Sequence, residues 1–132
     1  MSNLNNVTIL VADDEERWRR LVCDFLRSEG YRTAEAANGV EAVSAVRNGG
    51  IDMVILDIMM PVMDGYQALM GIRNLEKDHG ISLEDGAKVI MTTALNDEKN
   101  VKMAFELGCT IYSGKPIDQE KFEQALKKIG LI

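Results

Sequence analysis

Positive charge, cysteine and long apolar runs are all scarce in this sequence, and each shortage argues against a class of protein. Acidic residues outnumber basic ones by 21 to 15, and the net charge of −6 argues against binding DNA through a broad basic surface. No apolar run approaches the roughly 18 residues that span a bilayer. Residues 1–6 are polar and lack the apolar segment of a secretory signal, so we expect a disordered leader and a cytoplasmic protein without membrane contact.

The two cysteines, Cys23 and Cys109, lie far apart in the sequence and belong to no recognisable motif. Reduced thiols are therefore favoured over a disulfide. The length of 132 residues fits one domain, and a hydrophobic fraction of 46% is enough for a folded core. We expect residues 7–132 to form that domain, since the sequence contains neither repeats nor a linker.

Five short apolar runs alternate with five segments of helical periodicity. The central run, from Val54 to Asp57, is bounded by turn residues and is typical of a strand buried on both faces. The other predicted strands cover residues 7–12, 31–36, 87–93 and 110–113. This alternation predicts a flavodoxin-like three-layer α/β sandwich, with a five-stranded parallel sheet in the order 2-1-3-4-5 and five helices on its two faces.

Helical periodicity also predicts which side chains face the core. The apolar stripe of the first helix consists of Trp18, Leu21, Val22, Phe25 and Leu26. Asp14 is the predicted N-cap of this helix, and the inner faces of the second and fourth helices are predicted to include Val40 and Phe105. Residues 76–86 are polar and form a long connection, which we expect to be a surface loop.

Polar side chains follow four of the predicted strands. Asp13 and Asp14 come after the first strand, Asp57 ends the third, Thr93 ends the fourth and Lys115 follows the fifth. Because the carboxyl ends of parallel strands meet at one edge of a sheet, we expect these side chains to lie together. Three carboxylates repel one another unless a cation lies among them, and oxygen ligands at a solvated edge suit Mg²⁺. A carboxylate nucleophile, a divalent metal, an ammonium group and a hydroxyl donor together predict phosphoryl transfer to an aspartate.

Each signal also has a simpler explanation when it is taken alone. An acidic pair after a strand often serves only as a helix N-terminus, and a lysine before a proline usually marks a turn. A threonine at a strand end usually reflects β-propensity. The arrival of all these residues at one edge is what favours a site.

Four motifs lie at the same strand ends. They are Ile9-Leu10-Val11-Ala12-Asp13-Asp14-Glu15, Asp57 followed by Met60-Pro61-Val62-Met63-Asp64-Gly65, Met91-Thr92-Thr93-Ala94, and Tyr112-Ser113-Gly114-Lys115-Pro116. In these motifs and their spacing, residues from about 7 to 129 resemble the receiver domain of two-component response regulators.

The resemblance implies a role for each matching residue. Asp57 would be the phosphoacceptor and, with Asp14, a direct Mg²⁺ ligand. Asp13 would hold the metal through water, and Met59 through its backbone carbonyl. In the same way, the resemblance implies that Thr93 is the switch hydroxyl, that Tyr112 is the coupled switch aromatic, and that Lys115 contacts the phosphoryl group.

The sequence departs from the family pattern in three places. The residues two after Asp57 and two after Thr93 are Met59 and Leu95, where many relatives carry polar groups. The connection before the fourth strand is longer than usual. The sequence ends at Ile132, just after the last predicted helix, so we expect output through protein contacts and not through an attached DNA-binding domain.

The resemblance implies a stand-alone response regulator, related to chemotaxis regulators. A sensor histidine kinase or a histidine phosphotransfer protein would donate the phosphoryl group, and a downstream target protein would read the change. The protein would not be an enzyme, beyond self-phosphorylation from small donors and slow autodephosphorylation. Two alternatives stay open: a Mg²⁺-dependent phosphohydrolase that works through an aspartyl-phosphate, and a receiver-like interaction module that is not phosphorylated.

Overall fold

The structure is a computed structural model, and it describes residues 7–93, 98–114 and 119–128. Strands and helices alternate along these residues, and the predicted leader lies outside them. Their bounds are β1 Thr8–Ala12, α1 Glu16–Ser28, β2 Arg32–Ala36, α2 Gly39–Arg47, β3 Met53–Asp57, α3 Gly65–Asp78, β4 Lys88–Thr93, α4 Glu98–Glu106, β5 Ile111–Gly114 and α5 Gln119–Lys128. None of the helices in the described part of the chain is long and apolar enough to cross a membrane.

The strands form one parallel sheet in the order β2-β1-β3-β4-β5, which confirms the predicted fold. Strand β3 lies at the centre, and all five of its residues are buried. Strand β2 lies at an edge and is only partly buried, as its lower apolar content indicates. Two parallel strands cannot be joined by a tight turn, so the chain must cross over the sheet between them. The helices that make these crossovers cover both faces of the sheet.

The core consists of one apolar layer on each side of the sheet. On one side, residues of α2, α3 and α4 such as Ala42, Leu69 and Ala104 meet alternate residues of the strands. On the other side, α1 and α5 contribute residues such as Leu26 and Phe122. The central strands therefore have no solvated face, whereas the edge strand β2 exposes Arg32 and Glu35.

Helix α1 differs from its prediction at its start and on its outer face. The N-cap is Glu15, without a side-chain capping bond, and not Asp14. The N–H of Glu15 is instead bound by the side chain of Asp13. Leu21 is 63% exposed, whereas Cys23, which the predicted stripe omits, is fully buried. The other four residues of the predicted stripe, Trp18, Val22, Phe25 and Leu26, do pack in the core layer, so the buried face differs from the prediction only at its edge.

Two further helices expose a residue that was predicted to face the core, and α3 is longer than predicted. Val40 of α2 and Phe105 of α4 are exposed, whereas Ala42 and Ala104 of the same helices are fully buried in the core layer. Helix α3 continues to Asp78, so the surface connection begins at His79 and not at residue 76. Glu76 is 6% exposed, which contradicts its assignment to a surface loop.

Both cysteines are free thiols, as the sequence predicts, and the structure buries both of them. The Sγ atom of Cys109 lies 2.8 Å from the carbonyl oxygen of Ile111. Burial raises the pKa of Cys23 and that of Cys109 from 9.0 to about 11. Both thiols are therefore protonated and unreactive at neutral pH.

Candidate functional site

Strand β1 brings two aspartates to the carboxyl edge of the sheet. The N–H of Asp13 donates to the carbonyl oxygen of Ala36 at 3.0 Å, and Nη1 of Arg19 donates to the carbonyl oxygen of Asp13 at 2.8 Å. The carboxylate oxygen Oδ1 of Asp13 accepts the N–H of Glu15 at 2.9 Å. These contacts fix Asp13 in a buried position, while the neighbouring Asp14 is exposed.

Strand β3 brings the third carboxylate to the same edge. Asp57 is the last residue of the strand and is 4% exposed. The N–H of the next residue, Ile58, donates to the carbonyl oxygen of Thr92 at 3.0 Å, so the chain still follows β4 at this point. The N–H of Met59 donates to Oδ1 of Asp57 at 3.4 Å. The carboxylate therefore lies where the strand ends and the chain begins to turn.

The carboxylates of Asp13, Asp14 and Asp57 form an acidic cluster. One oxygen from each lies within 4.8 Å of the others. Two of the three side chains are buried, so water screens their repulsion only in part. A set of oxygen donors at this spacing fits a hard divalent cation, because such a cation binds carboxylates and completes its coordination with water.

The segment after β3 leads directly into α3. The carboxylate of Asp64 accepts the N–H of Gln67, and the side chain of Gln67 accepts the N–H of Asp64, which makes a capping box. Gly65 donates to the carbonyl oxygen of Ile58 at 2.9 Å. A Cβ at position 65 would collide with the carbonyl oxygen of Asp57, so only glycine lets the helix begin this close to the strand end.

A second glycine holds this segment from the side of α2. The N–H of Gly39 donates to the carbonyl oxygen of Met63 at 3.0 Å. A Cβ at position 39 would lie 2.7 Å from Cγ of Met63. The Asn38-Gly39 pair, which predicts a turn, therefore also supports the loop beside Asp57.

Strands β4 and β5 bring two more of the predicted residues to this half of the sheet. Thr93 ends β4 and is 1% exposed, and its register partner is Gly114 on β5. Tyr112 pairs with Met91 and is half-buried, and it packs against the core layer below α2, α3 and α4. Lys115 and Leu95 lie outside the described residues.

Exposed apolar side chains follow Asp57. Met59 is 61% exposed and Val62 is 83% exposed. A thioether is a weak hydrogen-bond acceptor and a valine side chain offers none. These two side chains therefore give the segment beside the acidic cluster an apolar surface.

Arg19, which no sequence pattern singles out, positions Asp13. Its Nε atom pairs with Oε1 of Glu35 on β2 at 2.9 Å, while its Nη1 atom holds the backbone of Asp13. The guanidinium thus links the ends of two adjacent strands. No sequence signal distinguishes Arg19 from its neighbours Arg17 and Arg20, since all three are basic residues of one amphipathic helix.

Comparison with known proteins gives consistent matches over almost the whole chain. The family model described as "Response regulator receiver domain" matches residues 9–127. Sporulation initiation phosphotransferase F of Bacillus subtilis is 32% identical over 123 residues, which are 93% of this chain and 93% of that protein. The chain spans only 45–50% of the length of some transcriptional regulators that it also matches.

Two solved structures have the same fold. The CheX–CheY–BeF3–Mg²⁺ complex of Borrelia burgdorferi matches with a TM-score of 0.82 and 33% identity, over 94% of this chain and 89% of that one. The complex of the Saccharomyces cerevisiae histidine phosphotransfer signalling protein Ypd1 with the receiver domain of its downstream response regulator Ssk1 matches with a TM-score of 0.87 and 26% identity. This match covers 95% of this chain and 89% of that one.

Proposed function

The chain belongs to the response regulator receiver domain family, and we propose that it accepts a phosphoryl group on Asp57 and thereby changes its protein contacts. The observation that carries the proposal is the acidic cluster: Asp57 lies at the end of the central strand, with the carboxylates of Asp13 and Asp14 within 4.8 Å. Thr93 ends the neighbouring strand β4. A nucleophile, a place for a cation and a hydroxyl group thus lie along the ends of three neighbouring strands, β1, β3 and β4.

Mg²⁺ is the cation that fits the donor set. Asp14 and Asp57 would bind it directly, Asp13 through water and Met59 through its backbone carbonyl. The metal would neutralise charge on the phosphoryl oxygens. Asp13 suits a water-mediated role, because its Oδ1 accepts the N–H of Glu15 at 2.9 Å, a shorter bond than the one of 3.4 Å that Asp57 accepts from Met59.

In the transfer step a carboxylate oxygen of Asp57 attacks the phosphorus atom of a phosphohistidine. The P–N bond breaks as the O–P bond forms, and the histidine nitrogen leaves with the electron pair. Small phosphoryl donors such as acetyl phosphate would react in the same way. Lys115 would contact a phosphoryl oxygen, as the family motif implies.

The switch would work through β4 and β5. A phosphoryl oxygen on Asp57 would accept a hydrogen bond from the Thr93 hydroxyl, and Tyr112 would move in response. The two strands are adjacent and in register from Ile90–Ile111 to Thr93–Gly114, so a shift at the end of β4 has a direct path to β5. The change needs to supply only a few kcal/mol, if the two states lie close in free energy.

The partners would be a histidine kinase or a histidine phosphotransfer protein as donor, and a target protein as receiver of the signal. Likeness to the Ypd1–Ssk1 complex supports a phosphotransfer protein as donor, and likeness to the CheX–CheY complex supports a further protein partner. The net charge of −6 is a poor match for DNA. A histidine kinase or phosphotransfer protein as partner also favours a cytoplasmic location, which stays a prediction.

The phosphohydrolase alternative is less well supported. Such an enzyme would need an acid–base group beside the nucleophile, and the residue two after Asp57 is the exposed, apolar Met59. The alternative of an unphosphorylated module leaves the acidic cluster without a use.

The proposal is tested by incubating the protein with acetyl phosphate and Mg²⁺ and measuring its intact mass. We expect a single phosphoryl adduct that is absent from Asp57→Asn and present in Asp85→Asn, a control in the exposed loop. Turnover of phosphate esters without an adduct would favour the hydrolase. No adduct under any condition, with a histidine phosphodonor included, would favour the interaction module.

A further inference from the structure

Helix α3 carries a buried ion pair that faces away from the acidic cluster. Nη1 of Arg73 lies 2.6 Å from Oε1 of Glu76, and their side chains are 13% and 8% exposed. The two residues are three apart on one helix, a spacing at which side chains meet. A buried pair of this kind is costly unless further hydrogen bonds satisfy both groups. Both groups have such bonds, and these lead to two different elements.

Glu76 contacts the start of β4. Its Oε2 atom accepts the N–H of Ala87, the residue before the strand, at 2.7 Å. A Cβ on Gly86 would lie 2.6 Å from this oxygen and would also collide with Oε1. Glycine at position 86 is therefore needed for the carboxylate to reach the backbone of Ala87.

Arg73 contacts the end of α4. Its Nε and Nη2 atoms both donate to the carbonyl oxygen of Gly108, at 3.1 and 2.8 Å. Gly108 follows the helix with a φ of 100°, which favours glycine. A Cβ there would lie 3.1 Å from Nε of Arg73, so this contact point also depends on glycine.

We propose that the Arg73–Glu76 pair is a clamp that fixes both ends of the β4–α4 unit, residues 87–108. Thr93 lies within this unit, at the opposite end of β4 from Ala87. With both ends held by one ion pair, a shift caused by phosphorylation is confined to the part of the unit next to Thr93. The confinement of the shift rests on the proposed function, whereas the clamp itself rests only on the contacts of Arg73 and Glu76.

The clamp is tested first by amide hydrogen exchange in three variants. Glu76→Gln removes the charge, and Gly86→Ala displaces the carboxylate while keeping every charge. Asp24→Asn is the matched control, because it removes an exposed ion pair at the same spacing, Asp24 with Arg27 on α1. We expect exchange to rise at least about tenfold in the first two variants and to stay unchanged in the control. At Ala87 the reason is the loss of the charged hydrogen bond from its N–H to Glu76, and in the last turn of α4 it is that Arg73 loses the carboxylate that orients it.

Exchange at buried amides of β1 separates the clamp from a general loss of stability. If Ala87 and the last turn of α4 exchange faster only in proportion to β1, the pair is an ordinary stabilising contact and the clamp is refuted. A variant that unfolds shows this proportional rise and counts in the same way. An increase confined to the two ends of the unit supports the clamp.

The second measurement uses the phosphoryl mimic beryllofluoride with Mg²⁺. In the wild-type protein we expect amide shifts near Thr93 that do not reach Ala87 or Gly108, and in Glu76→Gln and Gly86→Ala we expect them to reach both. Shifts at Gly108 of equal size in all variants would refute the confinement. The absence of any shift in the wild-type protein would refute the proposed function instead, and the exchange data would still decide whether the clamp exists.

Discussion

The N–H of Met63 donates to the carbonyl oxygen of Pro61 at 2.7 Å and closes a three-residue turn. The central residue, Val62, has a φ of 70°, a conformation that is costly for a β-branched side chain. At 83% exposure, Val62 gains little packing in return. The turn is held from outside by Gly39, whose N–H binds the carbonyl of Met63. The segment that follows Asp57 therefore contains local strain.

Replacing Val62 with asparagine should relieve this strain. Asparagine tolerates positive φ, so we expect Val62→Asn to raise the free energy of unfolding by about 1 kcal/mol. Urea denaturation measures the change. Val62→Thr keeps the β-branch and is the control, with an expected stability close to wild type. A Val62→Asn protein that is no more stable than Val62→Thr would show that the turn is not strained.

Mg²⁺ binding should depend on Asp14 more than on Asp13. Asp14 is exposed and can offer its carboxylate to the ion, whereas the oxygen Oδ1 of Asp13 is already bonded to Glu15. Loss of an outer-sphere ligand typically costs about 10–100-fold in affinity, and loss of a direct ligand should cost more. Titration of Asp13→Asn and Asp14→Asn with Mg²⁺ measures the difference.

Glu16→Gln is the control for that titration, because it makes the same change in charge next to the cluster but in an exposed pair with Arg20. Its affinity for Mg²⁺ should match that of the wild-type protein. Equal losses in Asp13→Asn and Asp14→Asn, or a larger loss in Asp13→Asn, would contradict the assignment.

Thr93→Ala should accept a phosphoryl group but fail to transmit the change. The hydroxyl would bind the phosphoryl oxygen with a charge-assisted bond worth about 1.5–3 kcal/mol, comparable to the free energy of a switch. Amide shifts around Tyr112 on addition of beryllofluoride should shrink in Thr93→Ala and persist in Thr93→Ser. Shifts of wild-type size in Thr93→Ala would rule out this role.

The phosphoryl group on Asp57 should be long-lived. Hydrolysis needs a water in line with the O–P bond, and Met59 beside that path is exposed and cannot hold a water strongly. Met59→Asn, together with Leu95→Glu, should shorten the lifetime of the adduct by roughly tenfold, because both new side chains can hold a water by a strong hydrogen bond. Decay of the acyl phosphate, followed by mass, measures the rate.

Val62→Asn provides the control for lifetime, since it places the same amide on a nearby exposed residue. Its adduct should decay at the wild-type rate. A wild-type adduct that hydrolyses within seconds, or a double variant that decays no faster, would contradict this explanation of the apolar surface.

The free energy of unfolding should fall as the pH rises from 9 to 11. Burial raises the pKa of the Cys23 and Cys109 thiols from 9.0 to about 11 in the folded protein. Below pH 9 both states keep these protons, whereas between 9 and 11 the unfolded state loses them first and is favoured. The double variant Cys23→Ala, Cys109→Ala should show a smaller fall in denaturation experiments across this range. An equal fall would mean that other groups cause it.

Local patterns in the sequence were sufficient for the order of elements and the position of the acidic residues. Apolar runs bounded by turn residues define the strands, and parallel strands bring their carboxyl ends to one edge. The alternation of strands and helices therefore predicts that Asp13, Asp14 and Asp57 lie close together.

Contacts between residues far apart in the sequence decided the rest. The edge of the buried face of α1, where Cys23 is buried and Leu21 is exposed, depends on the shape of the layer against which the helix packs. The burial of Glu76 depends on Gly86, Ala87 and Arg73. The position of Arg73 depends in turn on its hydrogen bonds to the carbonyl oxygen of Gly108. Sequence periodicity identifies a face of one element but not the groups that meet it. A charged side chain can therefore be assigned to the surface or the interior only when its partners are known.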